Sequence, residues 1–203
     1  METEQIKIFD QARNEMGVAS REEVHKKGYW HEVFHCWFLS HNDLLLQVRS
    51  EQKKENPSLL DITAAGHLLA DETVADGVRE VKEELGVDVP FEELVPLGII
   101  EYCSIQGTYI DNEIANVFLY KCHVEIKDFH LQKEEVAGIV KVYFNDFRQL
   151  WDESKDVIRV TGYEIKADGS KHSIDQLVGR DQFVPHPAGY YQTIIEKIDE
   201  QIK

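Results

Sequence analysis

Three glutamates at helical spacing are the residues of this sequence best placed to do chemistry. Glu80, Glu83 and Glu84 stand at i, i+3 and i+4, and such positions are neighbours on a helix surface. Like charges this close cost a helix roughly 0.2–0.5 kcal/mol per pair. A hard cation reverses that cost, and Mg²⁺ is typically held by a few carboxylates together with phosphate oxygens of a substrate. The alternative is a solvated acidic face, screened by Lys82 and Arg79.

The helix that would carry these residues is expected from about Val74 to Leu85. Thr73 can cap its start, with Asp76 three residues later as half of a capping box. Gly86 supplies a stop. At about 100° per residue, Val74, Val78, Val81 and Leu85 gather on one face, opposite the glutamates, and that face should bury against a sheet.

Gly66, Glu72 and the run Arg79-Glu80-Val81-Lys82-Glu83-Glu84-Leu85-Gly86-Val87 resemble the Nudix box. The second half of that pattern is matched at every position. The first half departs from it, because only six residues separate Glu72 from Arg79 where the box has seven, and Asp71 could take the first acidic role instead. The resemblance implies an α/β fold, a Nudix-type α/β/α sandwich with a mixed β-sheet. It also implies a Mg²⁺-dependent hydrolase of diphosphate linkages, with Mn²⁺ as a possible substitute. Glu80, Glu83 and Glu84 would be the metal ligands and Arg79 would orient them. A further glutamate from a later loop, Glu134 or Glu135, would serve as ligand or base.

The likeness runs beyond the box. His25, Trp30-His31, Leu44 to Arg49, Ala65-Gly66-His67 and Asp111 to Ile114 resemble the isopentenyl-diphosphate isomerase branch of the same superfamily. In that branch three histidines and two acidic residues hold a metal. His25, His31, His67, Asp111 and Glu113 match those places in order, so the resemblance implies a second polar or metal-binding pocket. The isomerases carry a catalytic cysteine directly before the Gly-His pair, and Ala65 stands there. Hydrolysis of a nucleoside diphosphate derivative or an isoprenoid-type diphosphate is therefore expected ahead of isomerisation. A Nudix domain that senses a metabolite without cutting it is the other alternative.

The elements that must position these residues can be read in outline. Residues 33–38 and 43–48 read as strands about a turn at Ser40-His41-Asn42, and Ser50 to Ser58 as a loop. Val95 to Tyr102 and Ile114 to Tyr120 read as strands joined by a polar turn over Gly107 to Asn112. Val140 to Phe144 is a further strand, followed by a short helix near Asp146 to Trp151. Arg159 to Ile165 and Ser173 to Val178 flank Ala167-Asp168-Gly169-Ser170, a hairpin turn. An amphipathic helix from about Gly189 carries Tyr190, Ile194, Ile195 and Ile198. Mixed strands and helices favour a layered α/β sandwich. One domain is expected over 1–203, with a core at about 30–150, an N-terminal strand segment at 1–29 and a C-terminal hairpin and helix at 151–203.

Composition narrows the partners. The chain has 203 residues and a formal net charge of −16, which speaks against nucleic acid, since a phosphate backbone is held by clustered Lys and Arg. Acidity does not exclude a small-molecule diphosphate, because a bound cation inverts the local field. The apolar runs are too short to span a bilayer, the N-terminus lacks a signal-peptide pattern, and a cytoplasmic protein is expected, with a homodimer as an open possibility. Cys36, Cys103 and Cys122 are widely spaced and suggest neither a disulfide framework nor a zinc knuckle. Cys36 and Cys122 read as core. Trp30, Trp37, Tyr102 and Tyr109 are candidates to stack on a base, against the plainer reading as core aromatics.

Overall fold

The computed structural model describes residues 4–123 and 125–202. In chain order the elements are β1 (Gln5–Phe9), β2 (Glu15–Ser20), α1 (Arg21–Lys27), β3 (Trp30–Ser40), β4 (Asp43–Arg49), β5 (Leu60–Asp61), β6 (Ala64–His67), α2 (Arg79–Leu85), β7 (Val95–Gln106), β8 (Tyr109–Lys121), β9 (Val136–Tyr143), α3 (Phe144–Trp151), β10 (Ile158–Ile165), β11 (Lys171–Val178) and α4 (Tyr190–Ile202). The described strands join in one mixed sheet, ordered β11-β10-β9-β4-β3-β1-β2, with β8 and β7 continuing from β3. β3 and β8 run parallel from Trp30 opposite Asn112 to Leu39 opposite Lys121. The other named pairs are antiparallel.

Helices cover both faces, so the architecture is the α/β/α sandwich expected. On one face α3 and α4 pack Phe147, Leu150, Tyr191, Ile194 and Ile198 onto Trp37, Leu44 and Val160. On the other, Val81 and Leu85 of α2 pack onto Phe34, Cys36, Phe38 and Leu45. Cys36 and Cys122 are core residues and Cys103 is exposed.

The sheet divides where the site forms. β3 pairs with β4 only over Phe38 to Ser40, and then with β6 over Val33 to Cys36. Thr63 fills the gap: its hydroxyl donates to the Leu45 carbonyl at 2.6 Å and accepts from the Phe38 N–H at 3.0 Å. A buried hydroxyl bonded on both sides thus replaces the ladder bonds lost at the split.

Several elements differ from the sequence reading. The hairpin of β7 and β8 turns at Gly107-Thr108, so Asp111 and Asn112 lie within a strand and not in a turn. The helix before Gly86 begins at Arg79, behind a 3₁₀ turn at Asp76–Val78. Asp76 shapes that turn by accepting from both the Thr73 N–H at 2.8 Å and its hydroxyl at 2.7 Å. Gly77 is required there, because a Cβ would lie 2.7 Å from the Phe34 side chain. Helix α1 was not anticipated within the N-terminal strand segment. Ser20 caps it by accepting from the Glu23 N–H, and Gly28 closes it in the left-handed region.

Candidate active site

The split in the sheet opens into a cavity of about 490 Å³. Strand alternation sets its floor. Val33 and His35 of β3, Tyr102 and Ser104 of β7, and Asp111 and Glu113 of β8 face it, and their strands then continue into the apolar core beneath α4.

Helix α2 forms one wall. Glu80, Glu83, Glu84 and Arg79 all line the cavity, but the three carboxylates are not equivalent. The Glu83 side chain is 54% exposed and that of Glu80 13%. Glu84 is buried, which departs from the alternative of a wholly solvated acidic face. It lies between α2 and β6, where it accepts from the Ala65 N–H at 3.2 Å and from the Gln47 amide at 3.5 Å. Burial raises its affinity for a proton well above that of an ordinary carboxyl, and the neighbouring charge of Glu80 adds to the effect. Glu80 is pushed up to about 7, again first by burial. Gly66 makes room for it, since a Cβ there would run into the Glu80 carboxyl group.

Arg79 ties this wall together. Its guanidinium donates to Glu80 at 2.7 Å, to Glu83 at 3.0 Å and to the His67 carbonyl at 3.0 Å, and it pairs through two nitrogens with Glu72. Glu72 also accepts from the Leu69 N–H at 2.8 Å. The acidic residue that meets Arg79 is therefore Glu72, and Asp71 is exposed. The 3₁₀ turn absorbs the shortened connection. Gly86 ends α2 with φ +68°.

Of the two glutamates ahead of β9, only Glu135 reaches the cavity, where it pairs with Lys53 from the loop after β4. Glu134 is exposed and lies outside the cavity lining.

A second polar centre lies beside the first. Ligating atoms of His25, His31 and His67 fall within 4.8 Å of one another, as do those of His31, Asp111 and Glu113. The pairing of β3 with β8 sets His31 opposite Glu113, β6 brings in His67 opposite Val33, and α1 contributes His25. The Nδ1 atoms of His25 and His31 face the carbonyls of Arg21 and Tyr29 at 2.8 and 3.1 Å. A carbonyl only accepts, so Nδ1 of each ring carries a proton, and the two Nε2 atoms are left facing Asp111 Oδ1 at 3.3 and 3.5 Å. His31 Nε2 and Asp111 Oδ1 are buried without a hydrogen-bond partner. Burial lowers His31 to about 4 and His67 well below its usual value, which keeps both rings neutral. Burial would likewise raise Glu113, but His35 and the Tyr102 hydroxyl hold it down, while Asp111 beside it is raised.

Several lining residues escaped the sequence reading: His35, Asp61, Lys53 and His186. His35 shares a strand face with His31 by simple alternation, a signal available in the sequence. Asp61 and His186 have no such signal. Among the candidate stacking aromatics, Tyr102 and Tyr109 line the cavity and Trp37 is core. Tyr109 stacks on His25 at 4.4 Å. Trp30 is outside the lining.

Residues 29–160, which include the wall and most of the floor, match the family described as the NUDIX domain. The chain belongs to the Nudix family. It is 36% identical to an uncharacterised Nudix hydrolase of Clostridium acetobutylicum, over 98% of both chains. It is also 26% identical to isopentenyl-diphosphate Delta-isomerase 2 of Photorhabdus laumondii, over 75% of this chain and 85% of that one. The MutT protein of Methanosarcina mazei Go1 shares the fold, with a TM-score of 0.55 at 19% identity over 86% of this chain and 96% of that structure. As a Nudix hydrolase the protein is an enzyme of acid anhydrides. No described helix is long and apolar enough to cross a membrane.

Proposed function

We propose that this Nudix hydrolase cleaves the diphosphate linkage of a small nucleoside or isoprenoid-type diphosphate in the presence of Mg²⁺, with Glu80, Glu83 and Glu84 as the metal-holding set. One observation carries the reading. Glu84 presents a buried carboxylate beside Glu80, and among the described residues no cationic side chain is in ion-pair contact with it. Glu84 is costly to ionise beside Glu80, whose charge Arg79 already pairs, unless a further cation is present, so the donor set fits a hard divalent ion. Mg²⁺, or Mn²⁺ in its place, would supply positive charge to the substrate phosphates.

The protein's own groups then have separable tasks. Arg79 fixes the rotamers of Glu80 and Glu83 and is itself fixed by Glu72. Glu135, and not Glu134, is the later-loop carboxylate assigned to take the proton of the attacking water, because it alone of the two lines the cavity. Such a site works mostly by positioning and charge neutralisation.

The His25, His31, His67, Asp111 and Glu113 centre fits a second divalent cation. The orphaned Nε2 of His31 and Oδ1 of Asp111 are the lone pairs that such an ion would take up, and backbone carbonyls orient the imidazoles of His25 and His31 from behind. The same centre raises a second reading, isomerisation of an isopentenyl diphosphate. Ala65, on the cavity wall, argues against it, since a methyl group neither donates nor accepts a proton.

The test is a panel of diphosphate compounds assayed with Mg²⁺ for release of phosphate or monophosphate, using the wild-type protein and Glu84→Gln. Cleavage of at least one compound, lost in the variant, is expected. No cleavage across nucleoside and isoprenoid members, or equal cleavage by both proteins, would overturn the reading.

A further inference from the structure

The C-terminal extension beyond residue 160 returns to the cavity at one place. Val184, Pro185, His186 and Pro187 line it. His186 is held on several sides. Its Nε2 lies 3.0 Å from Asp61 Oδ1, its ring stacks on Tyr190 at 4.4 Å, and the edge of Tyr191 is 5.4 Å away. The backbone N–H of His186 donates to the Val184 carbonyl at 2.8 Å.

Asp61 is a buried anchor. Burial alone would raise its pKa, yet the hydrogen bond and charge of His186, the charge of Arg49 and the Ile62 N–H hold it below the usual carboxylate range. A carboxylate only accepts, so Nε2 of His186 carries the proton. The remaining ring nitrogen, Nδ1, has no hydrogen-bond partner among the described residues. An imidazole fixed from behind by a carboxylate, with its second nitrogen unspent at a cavity, is a preorganised hydrogen-bonding group.

His186 also stands close to the glutamates. Asp61 is paired with Gln47 across β5 and β4, and Gln47 donates to Glu84. Directly paired residues have Cβ atoms about 4.5–5.5 Å apart, so His186 and Glu84 flank a single cross-strand pair. Both line the same cavity, so a diphosphate seated on α2 leaves His186 open to the remainder of the substrate.

The surroundings tell what that group is. Arg49 is held in place through each of its three nitrogens: it donates to Asp61 at 2.8 Å and to the carbonyls of Asn56 and Glu55 at 3.1 and 2.9 Å. A hydrocarbon tail would leave Nδ1 desolvated and unpaired, which is unfavourable. A hydroxyl satisfies the imidazole whether it is neutral or protonated, because it both donates and accepts.

We propose that His186, oriented by Asp61, is a specificity-determining residue whose Nδ1 hydrogen-bonds a hydroxyl on the group carried beyond the diphosphate, which selects sugar- or nucleoside-type substrates over isoprenoid ones. This rests on the diphosphate-hydrolase reading above.

Two non-hydrolysable probes separate the two claims, titrated onto the full chain with Mg²⁺. Methylenediphosphonate carries the diphosphate analogue alone, and α,β-methylene-ADP adds a hydroxylated nucleoside. The wild-type protein is expected to bind the second at least tenfold more tightly. In His186→Gln the amide reaches the Nε2 position and keeps the Asp61 bond but offers nothing at Nδ1, so the ratio of the two affinities should fall about tenfold. In His186→Asn the amide sits near Nδ1, and the ratio should be largely restored. Thermal melts of both variants check that Asp61 and the fold are retained. The proposal is overturned if the wild-type protein does not prefer the nucleoside probe, or if the ratio in His186→Gln equals that of wild type. It is likewise overturned if Asn is the impaired variant and Gln is not, which would mark His186 as a structural partner of Asp61. Failure of methylenediphosphonate to bind at all would instead count against the diphosphate reading itself.

Discussion

Replacing Glu80 by Gln keeps the volume of the side chain and removes its charge, and its effects on stability and on metal binding have opposite signs. Glu80 is largely buried, with 13% of its side chain exposed, and its folded pKa is about 7 against the ordinary glutamate value of 4.5. A carboxyl whose folded pKa is raised stabilises the fold fully below the unfolded pKa. It loses that contribution as pH rises through the folded one. At about 1.4 kcal/mol for each tenfold change in proton affinity, the ionised side chain costs the metal-free protein about 3 kcal/mol above pH 7. Glu80→Gln should recover that cost at about pH 8. For a chain of this size it is a rise of roughly 6–12 °C in Tm. At about pH 5, where the folded wild-type side chain is protonated, the gain should shrink below about 1 kcal/mol. Thermal unfolding in EDTA at the two pH values measures both. Added Mg²⁺ should then raise the wild-type Tm and leave the variant almost unmoved, since ligand stabilisation follows affinity for the native state. A variant less stable than wild type at the higher pH, or one stabilised by Mg²⁺ as much as wild type, would refute the placement of Glu80.

Gly66→Ala should leave the fold within about 1 kcal/mol of wild type, because the atoms nearest the added methyl are the flexible end of Glu80, a contact relieved by a rotamer change. Turnover should nevertheless drop at least tenfold, as a steady-state assay on whichever diphosphate the panel identifies would reveal. Co²⁺ added to the metal-free protein should give visible d–d bands through His25, His31 and His67. His31→Ala, which removes a ligand, should weaken Co²⁺ binding by at least about tenfold, the least that loss of even an outer-shell partner costs. Identical spectra in the variant would remove the histidine centre as a metal site. Isopentenyl diphosphate incubated with the enzyme and Mg²⁺ in heavy water should yield no dimethylallyl product and no deuterium at the allylic carbons, given Ala65. Exchange above a Glu83→Gln control would restore the isomerase reading.

What the sequence determined by itself was local. The 3.6-residue recurrence of Val81 and Leu85 set one face of α2 on the core, and the i, i+3, i+4 glutamates had to share a wall because a helix brings them together whatever surrounds it. The Asp168-Gly169 turn and the apolar stripe of α4 were legible for the same reason. Helix α1 was not, since seven residues with one buried aliphatic, Val24, give no recurrence to read, although Ser20 and Gly28 mark its ends.

Tertiary structure decided everything that depends on register. Nothing in the spacing of Glu83 and Glu84 says that the first is half exposed and the second buried; the approach of β6 does that, through the Ala65 N–H. The resemblance to the isomerase branch named the five residues of the histidine centre. Their convergence, however, needs a parallel β3–β8 pairing in which His31 lies opposite Glu113. Glu135 was separated from Glu134 only by which of them faces the cavity. Asp61 and His186 meet across 125 positions of sequence, a contact no local pattern encodes, because strand pairing and the return of the C-terminal segment bring them together only when the sheet closes.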